Sequence, residues 1–221
     1  MKKLVLTGGI VLFSLSHAQI KRGSIYLSGQ MEYQHNENNV LNGSRRKDDI
    51  VKIIPTAGYF VGSNLAIGLG AGYKSAVSKY EIGYGGASNS HQIKVADNAF
   101  VVTPFIRKYW TLSDHLYIFG QLQVPLEFGR EKLNSNNDIQ GGDPLLSSSF
   151  NTKNNYTSIG VNIKPGLDYF LSKNWSVEAV IGEFGYNTYK KDVDGAKRVT
   201  EDKFGLNLSS VTFGIKYLFT N

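Results

Sequence analysis

Apolar and polar side chains alternate with period two along most of this chain. In the run 211–219, Val211, Phe213, Ile215, Tyr217 and Phe219 share one parity. Thr212, Gly214 and Lys216 share the other, with Leu218 as the apolar exception. A strand sends successive side chains to opposite faces, so each set lines one face. Ile159, Val161, Ile163, Pro165, Leu167 and Tyr169 alternate in the same way with Ser158, Gly160, Asn162, Lys164, Gly166 and Asp168. So do Leu65, Ile67, Leu69, Ala71 and Tyr73 with Ala66, Gly68, Gly70, Gly72 and Lys74. In a further run Leu116, Ile118, Leu122, Val124, Leu126 and Phe128 oppose Gln121, Gln123 and Glu127. Such runs predict eight strands, at about 23–34, 50–61, 65–78, 99–110, 115–129, 156–170, 175–186 and 205–219.

The connections fall into two kinds. Three are short and alike: Pro55 to Phe60, Pro104 to Trp110 and Pro165 to Phe170 each run from a proline to an aromatic pair. Each ends in a tight Ser/Asn/Asp turn, chemistry that favours chain reversal. The others are long and polar, from His35 to Asp49, Lys79 to Asn98, Arg130 to Asn155 and Asn187 to Lys203. They are rich in Asn, Ser, Gly, Lys and Asp and are expected to be solvated loops. Short and long connections therefore alternate. A soluble sandwich has no reason to gather its long loops at one end, whereas a single-chain outer-membrane barrel does. The predicted fold is all-β, an eight-stranded antiparallel up-and-down transmembrane β-barrel with short periplasmic turns and long extracellular loops. Pro55, Pro104 and Pro165 fall inside strands, which marks bulges or strained pairings.

The fold class orients the faces. Lys164 and Asp168 would each cost several kcal/mol if they faced lipid, so the apolar parity faces out. The predicted interior charge network is Glu32, Lys52, Arg107, Glu127, Lys164, Asp168, Glu178 and Lys216, four basic and four acidic. Buried charges need partners, and eight strands leave a lumen just wide enough for side chains. A salt-bridged plug is expected, with an ion pathway as the alternative. Gly68, Gly70 and Gly72 would make room for long side chains from facing strands. Tyr59, Phe60, Tyr109, Trp110, Tyr169, Phe170, Trp175, Tyr217 and Phe219 are predicted to form an aromatic girdle at the short-turn end.

The N-terminus sets the compartment. Lys2 and Lys3 precede an apolar run from Leu4 to Leu15, and Ser16-His17-Ala18 supplies a small-x-small cleavage site. Residues 1–18 therefore read as a secretory signal peptide, leaving 19–221 as one barrel domain. Losing Lys2 and Lys3 lowers the formal net charge from +6 to +4, too small and dispersed for nucleic acid. There is no cysteine, so no disulfide holds the chain together. No later segment is apolar enough for a spanning helix, yet a closed barrel can still cross a bilayer.

The run Thr212-x-Gly214-x-x-Tyr217-x-Phe219 resembles the final-strand signal read by barrel-assembly machinery. The runs Phe105-Ile106-Arg107-Lys108-Tyr109-Trp110 and 58–68 are similar to the outer membrane β-barrel domain (porin-like) family, related in architecture to OmpX/OmpA-type eight-stranded barrels. The resemblance covers essentially the whole mature chain through loose, architectural motifs. It implies the bacterial outer membrane as location and the assembly machinery as a partner during biogenesis. It brings no catalytic residues.

Reactive chemistry is sparse. His35, His91 and His115 are the histidines after the signal. None has a histidine at i+2 or i+4, and there is no cysteine to serve as a ligand. A lipid-modifying barrel enzyme would need a histidine with a serine and a carboxylate near a rim. His35 near Glu37 and His91 beside Ser90 are the places to look. Asp138, Asp143, Asp192 and Asp194 match no calcium-loop spacing, and no cofactor is expected. Arg45-Arg46-Lys47 could touch lipopolysaccharide, which with outer-membrane lipid completes the expected partners of a monomer. The function expected is a non-enzymatic integral barrel with an envelope structural or surface-interaction role. A lipid-modifying enzyme or a narrow solute channel is the alternative.

Overall fold

The computed structural model describes residues 20–40, 44–84, 89–139, 148–205 and 212–220. Residues 1–18, expected to be a signal peptide, lie outside them. All regular structure among the described residues is β: β1 (Ile25–Val40), β2 (Ser44–Gly62), β3 (Leu65–Tyr84), β4 (Asn89–Thr111), β5 (Leu116–Gln123), β6 (Leu126–Ile139), β7 (Ser148–Phe170), β8 (Trp175–Val180), β9 (Glu183–Lys191), β10 (Val199–Gly205) and β11 (Thr212–Phe219). Every pairing is antiparallel, and β11 pairs with both β1 and β8, so the sheet closes into a ring. β5 with β6, β8 with β9 and β10 with β11 each continue one stave, giving the eight expected.

The strands are longer than alternation predicted. The β1–β2 ladder runs on to Val40 opposite Ser44, the β3–β4 ladder to Tyr84 opposite Asn89, and the β6–β7 ladder to Asn137 opposite Ser148. The long outer excursions are therefore largely paired ribbon. The physical reason is that a hairpin satisfies its own backbone whatever its side chains. Once neither face is apolar, the alternation that betrays a strand in the sequence vanishes.

Each of the three repeated prolines sits where a ladder is interrupted. Between Ile53–Tyr73 and Thr56–Gly70 the β2–β3 pairing skips Pro55 without changing register. The β5/β6 break faces Pro104, whose carbonyl accepts from Val124 N at 3.0 Å, and register again holds. Beside Pro165 the register shifts: Gly166 pairs with Val180, but Ile163 pairs with Phe184, so β8/β9 carries one extra residue at 181–182. That is a bulge. Its consequence is a reversal of parity between β8 and β9.

The short turns close as expected. Leu112 N and Ser113 N donate to Leu116 O, and Leu171 N donates to Trp175 O. Asn64 takes a left-handed backbone, φ 58°, which asparagine tolerates.

Outward residues are apolar all round the ring. Met31, Ile53, Tyr73, Phe100, Phe128, Val161 and Phe213 are each about half exposed or more, up to 62% for Phe213. Charge is inside: Arg107, Asp168, Glu178 and Lys216 are at most 1% exposed. This inverts a soluble barrel. Each outward side chain gains on the order of 1 kcal/mol when its exposed half leaves water, so the belt belongs in lipid and the molecule is a transmembrane β-barrel.

The aromatic girdle needs correction. Tyr59, Trp110, Tyr169, Trp175 and Phe219 face outward, and Tyr217 shares that face, with its ring 4.9 Å from Trp175 and 4.7 Å from Phe219. Phe60, Tyr109 and Phe170 point inward and are buried. Adjacent residues on a strand must part company, so each aromatic pair contributes one ring to lipid and one to the lumen. The inward rings join Tyr26, Tyr117, Phe119 and Leu218 in an apolar floor near the short turns.

Candidate functional site

The lumen above that floor is the most chemically charged place in the molecule. Arg107 on β4 reaches across to Glu178 on β8, a strand it does not pair with, and Nη1 donates to Oε2 at 2.5 Å. Arg107 Nε donates to Gln121 Oε1 at 2.7 Å, and Gln121 Nε2 donates to Gln123 Oε1 at 2.6 Å. The other carboxylate oxygen of Glu178 accepts from Ser28 Oγ at 2.7 Å and from Gln30 Nε2 at 2.8 Å. Lys216 on β11 pairs with Asp168 on β7. Both cations sit among rings: the Arg107 guanidinium lies 4.2 Å from the Phe119 centroid, and Lys216 Nζ lies 4.8 Å from that of Tyr109. Removed from water, these charges persist only because each is paired and hydrogen-bonded.

Above this layer, on the side of the ribbons, lies a polar cavity of about 400 Å³. Lys74 there contacts Glu127 at 3.0 Å and Asp97 at 3.3 Å, Lys164 contacts Glu183 at 3.4 Å, and Lys191 contacts Glu131 at 2.6 Å. Tyr156 OH donates to Asp97 Oδ1 at 2.7 Å. Lys52 lines the same cavity, and its cross-strand partner is Glu32. Glu32 shares the inward parity of Ser28 and Gln30.

All eight residues predicted for the interior network thus lie on the inner face, but in two separate tiers. Arg107, Glu178, Lys216 and Asp168 form the lower one; Glu127, Lys164 and Lys52 line the cavity, and Glu32 stands level with them as the cross-strand partner of Lys52. The sequence reading missed Lys74, Asp97, Glu131, Glu183 and Lys191. Lys74 was on the inward parity and could have been counted. Asp97 and Glu131 fell in stretches read as loops, and the bulge hid Glu183.

The four residues of the predicted assembly signal lie on the closing strand. A Cβ on Gly214 would stand 3.0 Å from Glu178 Cγ and 3.1 Å from Gln30 Cγ. The glycine therefore leaves the gap through which Gln30 reaches Glu178. Thr212 pairs with Val180, and Phe219 with Ile25.

Among the described residues the histidines do not assemble a triad. His35 Nδ1 lies 2.6 Å from Asp49 Oδ1, with no serine in the contact, and the hydrogen bond holds the Asp49 carboxyl below its ordinary pKa. His91 Nε2 meets Ser135 Oγ at 2.7 Å, the Ser90 side chain lies outside the described residues, and among the described residues no carboxylate orients the His91 ring. His115 sits in a short turn near Tyr169. No group of three or more His, Cys, Asp or Glu that could hold a metal occurs among the described residues.

No protein-family model matches the chain, and no curated protein matches it by sequence. Among solved structures it is similar to the outer membrane protein OprG from Pseudomonas aeruginosa, at 13% identity and a TM-score of 0.41, over 91% of this chain and 98% of that one. A major outer membrane protein from Thermus thermophilus matches at 13% identity and a TM-score of 0.40, over 92% and 100%. The N-terminal β-barrel domain of Pseudomonas aeruginosa OprF matches at 10% identity and a TM-score of 0.36, over 90% and 100%.

Proposed function

We propose that this protein is an integral barrel of the bacterial outer membrane, closed to solutes and not an enzyme, which acts at the cell surface through its ribbons. The observation that carries this reading is the extent of paired strand beyond the apolar belt. From Tyr33 to Val40 on β1, and from Phe128 to Ile139 on β6, the chain continues for roughly 20–35 Å at about 3.3 Å per residue. A purely anchoring barrel would not need that length. The lower tier of buried ion pairs over an aromatic floor supports closure, because conduction would require breaking charges out of matched partners.

Two measurements test it. On intact cells, surface protease should cut the ribbons while leaving a protected core that shows heat-modifiable gel mobility after detergent extraction. In planar bilayers the refolded protein should be electrically silent across the voltage range. Steady single-channel conductance would replace the closed barrel with a channel, and recovery from the soluble periplasmic fraction would remove the membrane reading altogether.

A further inference from the structure

Outside the lumen, the sheet register makes an unfavourable arrangement of charge. On the outward face Lys132 of β6 stands directly opposite Lys153 of β7. Lys79 stands opposite both Lys47 and Lys94 on its two neighbours. Directly opposed side chains on one face have Cβ atoms about 5 Å apart, and like charges there destabilise the pair. None of these lysines has a carboxylate within ion-pair distance among the described residues. Arg130, the next outward position below Lys132, is held by Asn155 Oδ1 at 2.9 Å, which leaves the far side of its guanidinium free for an anion.

The position of the cluster selects its counter-charge. Arg130 is two residues above Phe128, where the belt ends, and Phe100 is the cross-strand partner of Phe128. A groove of about 480 Å³ joins the two zones, lined by Tyr73, Phe100 and Phe128 on the apolar side and by Arg130, Lys132 and Asn155 on the polar side. Asp192 is the one carboxylate among its lining residues. An anion that met Arg130 and Lys132 in the groove, and Lys153 opposite Lys132, would sit at the boundary of hydrocarbon and water, where a lipid carries its phosphate. A soluble anion would have no use for the aromatic ridge below.

We propose that Arg130, Lys132 and Lys153 form a headgroup site for a phosphate-bearing lipid of the surrounding leaflet, whose acyl chains lie along Tyr73, Phe100 and Phe128. The site rests on the membrane reading above and adds to it a lipid class and a place on the wall. The phosphate relieves the Lys132–Lys153 repulsion, and the ridge holds the chains.

The test uses the full refolded chain in nanodiscs containing either bisphosphorylated lipid A or its dephosphorylated form. Retained lipid is counted by native mass spectrometry, and folding is checked by heat-modifiable mobility. The wild type should retain the phosphorylated form about tenfold more tightly, as expected for a few interfacial cations. The triple variant R130Q/K132Q/K153Q should lose that preference. K21Q/R22Q/K173Q, which removes as many exposed charges at the short-turn end, should keep it. In dephosphorylated lipid K132Q alone should be at least as resistant to urea as wild type, since it removes a repulsion; a loss of resistance there would overturn the proposal. Insertion with no phosphate preference would overturn the headgroup site alone. Failure to insert would overturn the membrane reading and the site with it.

Discussion

Arg107 and Glu178 meet at 2.5 Å although they stand on strands that never pair, β4 and β8, so their contact spans the lumen rather than a ladder. Both are at most 1% exposed. Truncating one partner strands the other charge away from water, which typically costs about 3–5 kcal/mol, whereas replacing both by apolar residues of similar volume is often neutral. R107M should therefore lower the urea midpoint of the refolded barrel severely, and R107M/E178M should recover most of the loss. A double variant as unstable as the single one would show that the pair is not the unit that matters.

Four inward rings lie over glycines that are their direct cross-strand partners: Tyr26 on Gly58, Phe105 on Gly68, Phe119 on Gly166 and Tyr156 on Gly129. At Gly166 a Cβ would overlap the Phe119 ring and come 2.7 Å from Ala179 O, so the clash involves backbone as well as a side chain. G166A should destabilise by about 1–3 kcal/mol. G29A is the control: nothing lies within 4 Å of its Cβ position, and its effect should stay within about 0.5 kcal/mol. Equal effects in equilibrium unfolding would dismiss the ring-over-glycine account.

The chain has two tryptophans. Trp110 and Trp175 are 38% and 49% exposed, both outward at the short-turn end. In bilayers their fluorescence should be quenched by lipids brominated near the headgroup more than by lipids brominated at the chain ends. Strongest quenching from the bilayer centre would move the belt relative to the strands.

Asp49 titrates below its ordinary value because His35 hydrogen-bonds it on the outer wall. A depressed folded pKa means that the contact contributes above the unfolded aspartate pKa and is lost as pH falls through the folded one. NMR titration of the Asp49 carboxyl carbon should show the depression in wild type and its loss in H35A. An unchanged titration in the variant would remove His35 as the cause.

How much of this was legible follows from what period two can carry. Where one face meets lipid and the other meets charge, parity alone located Arg107, Glu178, Asp168 and Lys216 and the outward Ile159, Val161 and Ile163. Beyond Tyr33 or Phe128 both faces are wet, the signal disappears, and paired ribbon was read as loop. The aromatic pairs were misplaced for the opposite reason. Composition drew Tyr59 and Phe60 together into one girdle, although alternation sends them to different faces.

The sequence by itself determined eight staves, each with an apolar and a polar face, because those follow from alternation along a single strand. The pattern of short and long connections implied a membrane barrel, and the cost of charge in lipid then set the polar face inside. Only the tertiary structure decided which charges meet. Arg107 reaches Glu178, and not a carboxylate on a paired strand, because closure of the ring sets those two side chains facing each other across the lumen. Glu183 joins Lys164 because one extra residue at 181–182 reverses the parity of β9 relative to β8. Ring closure and register are properties of pairs of strands, and no period read along one strand contains them.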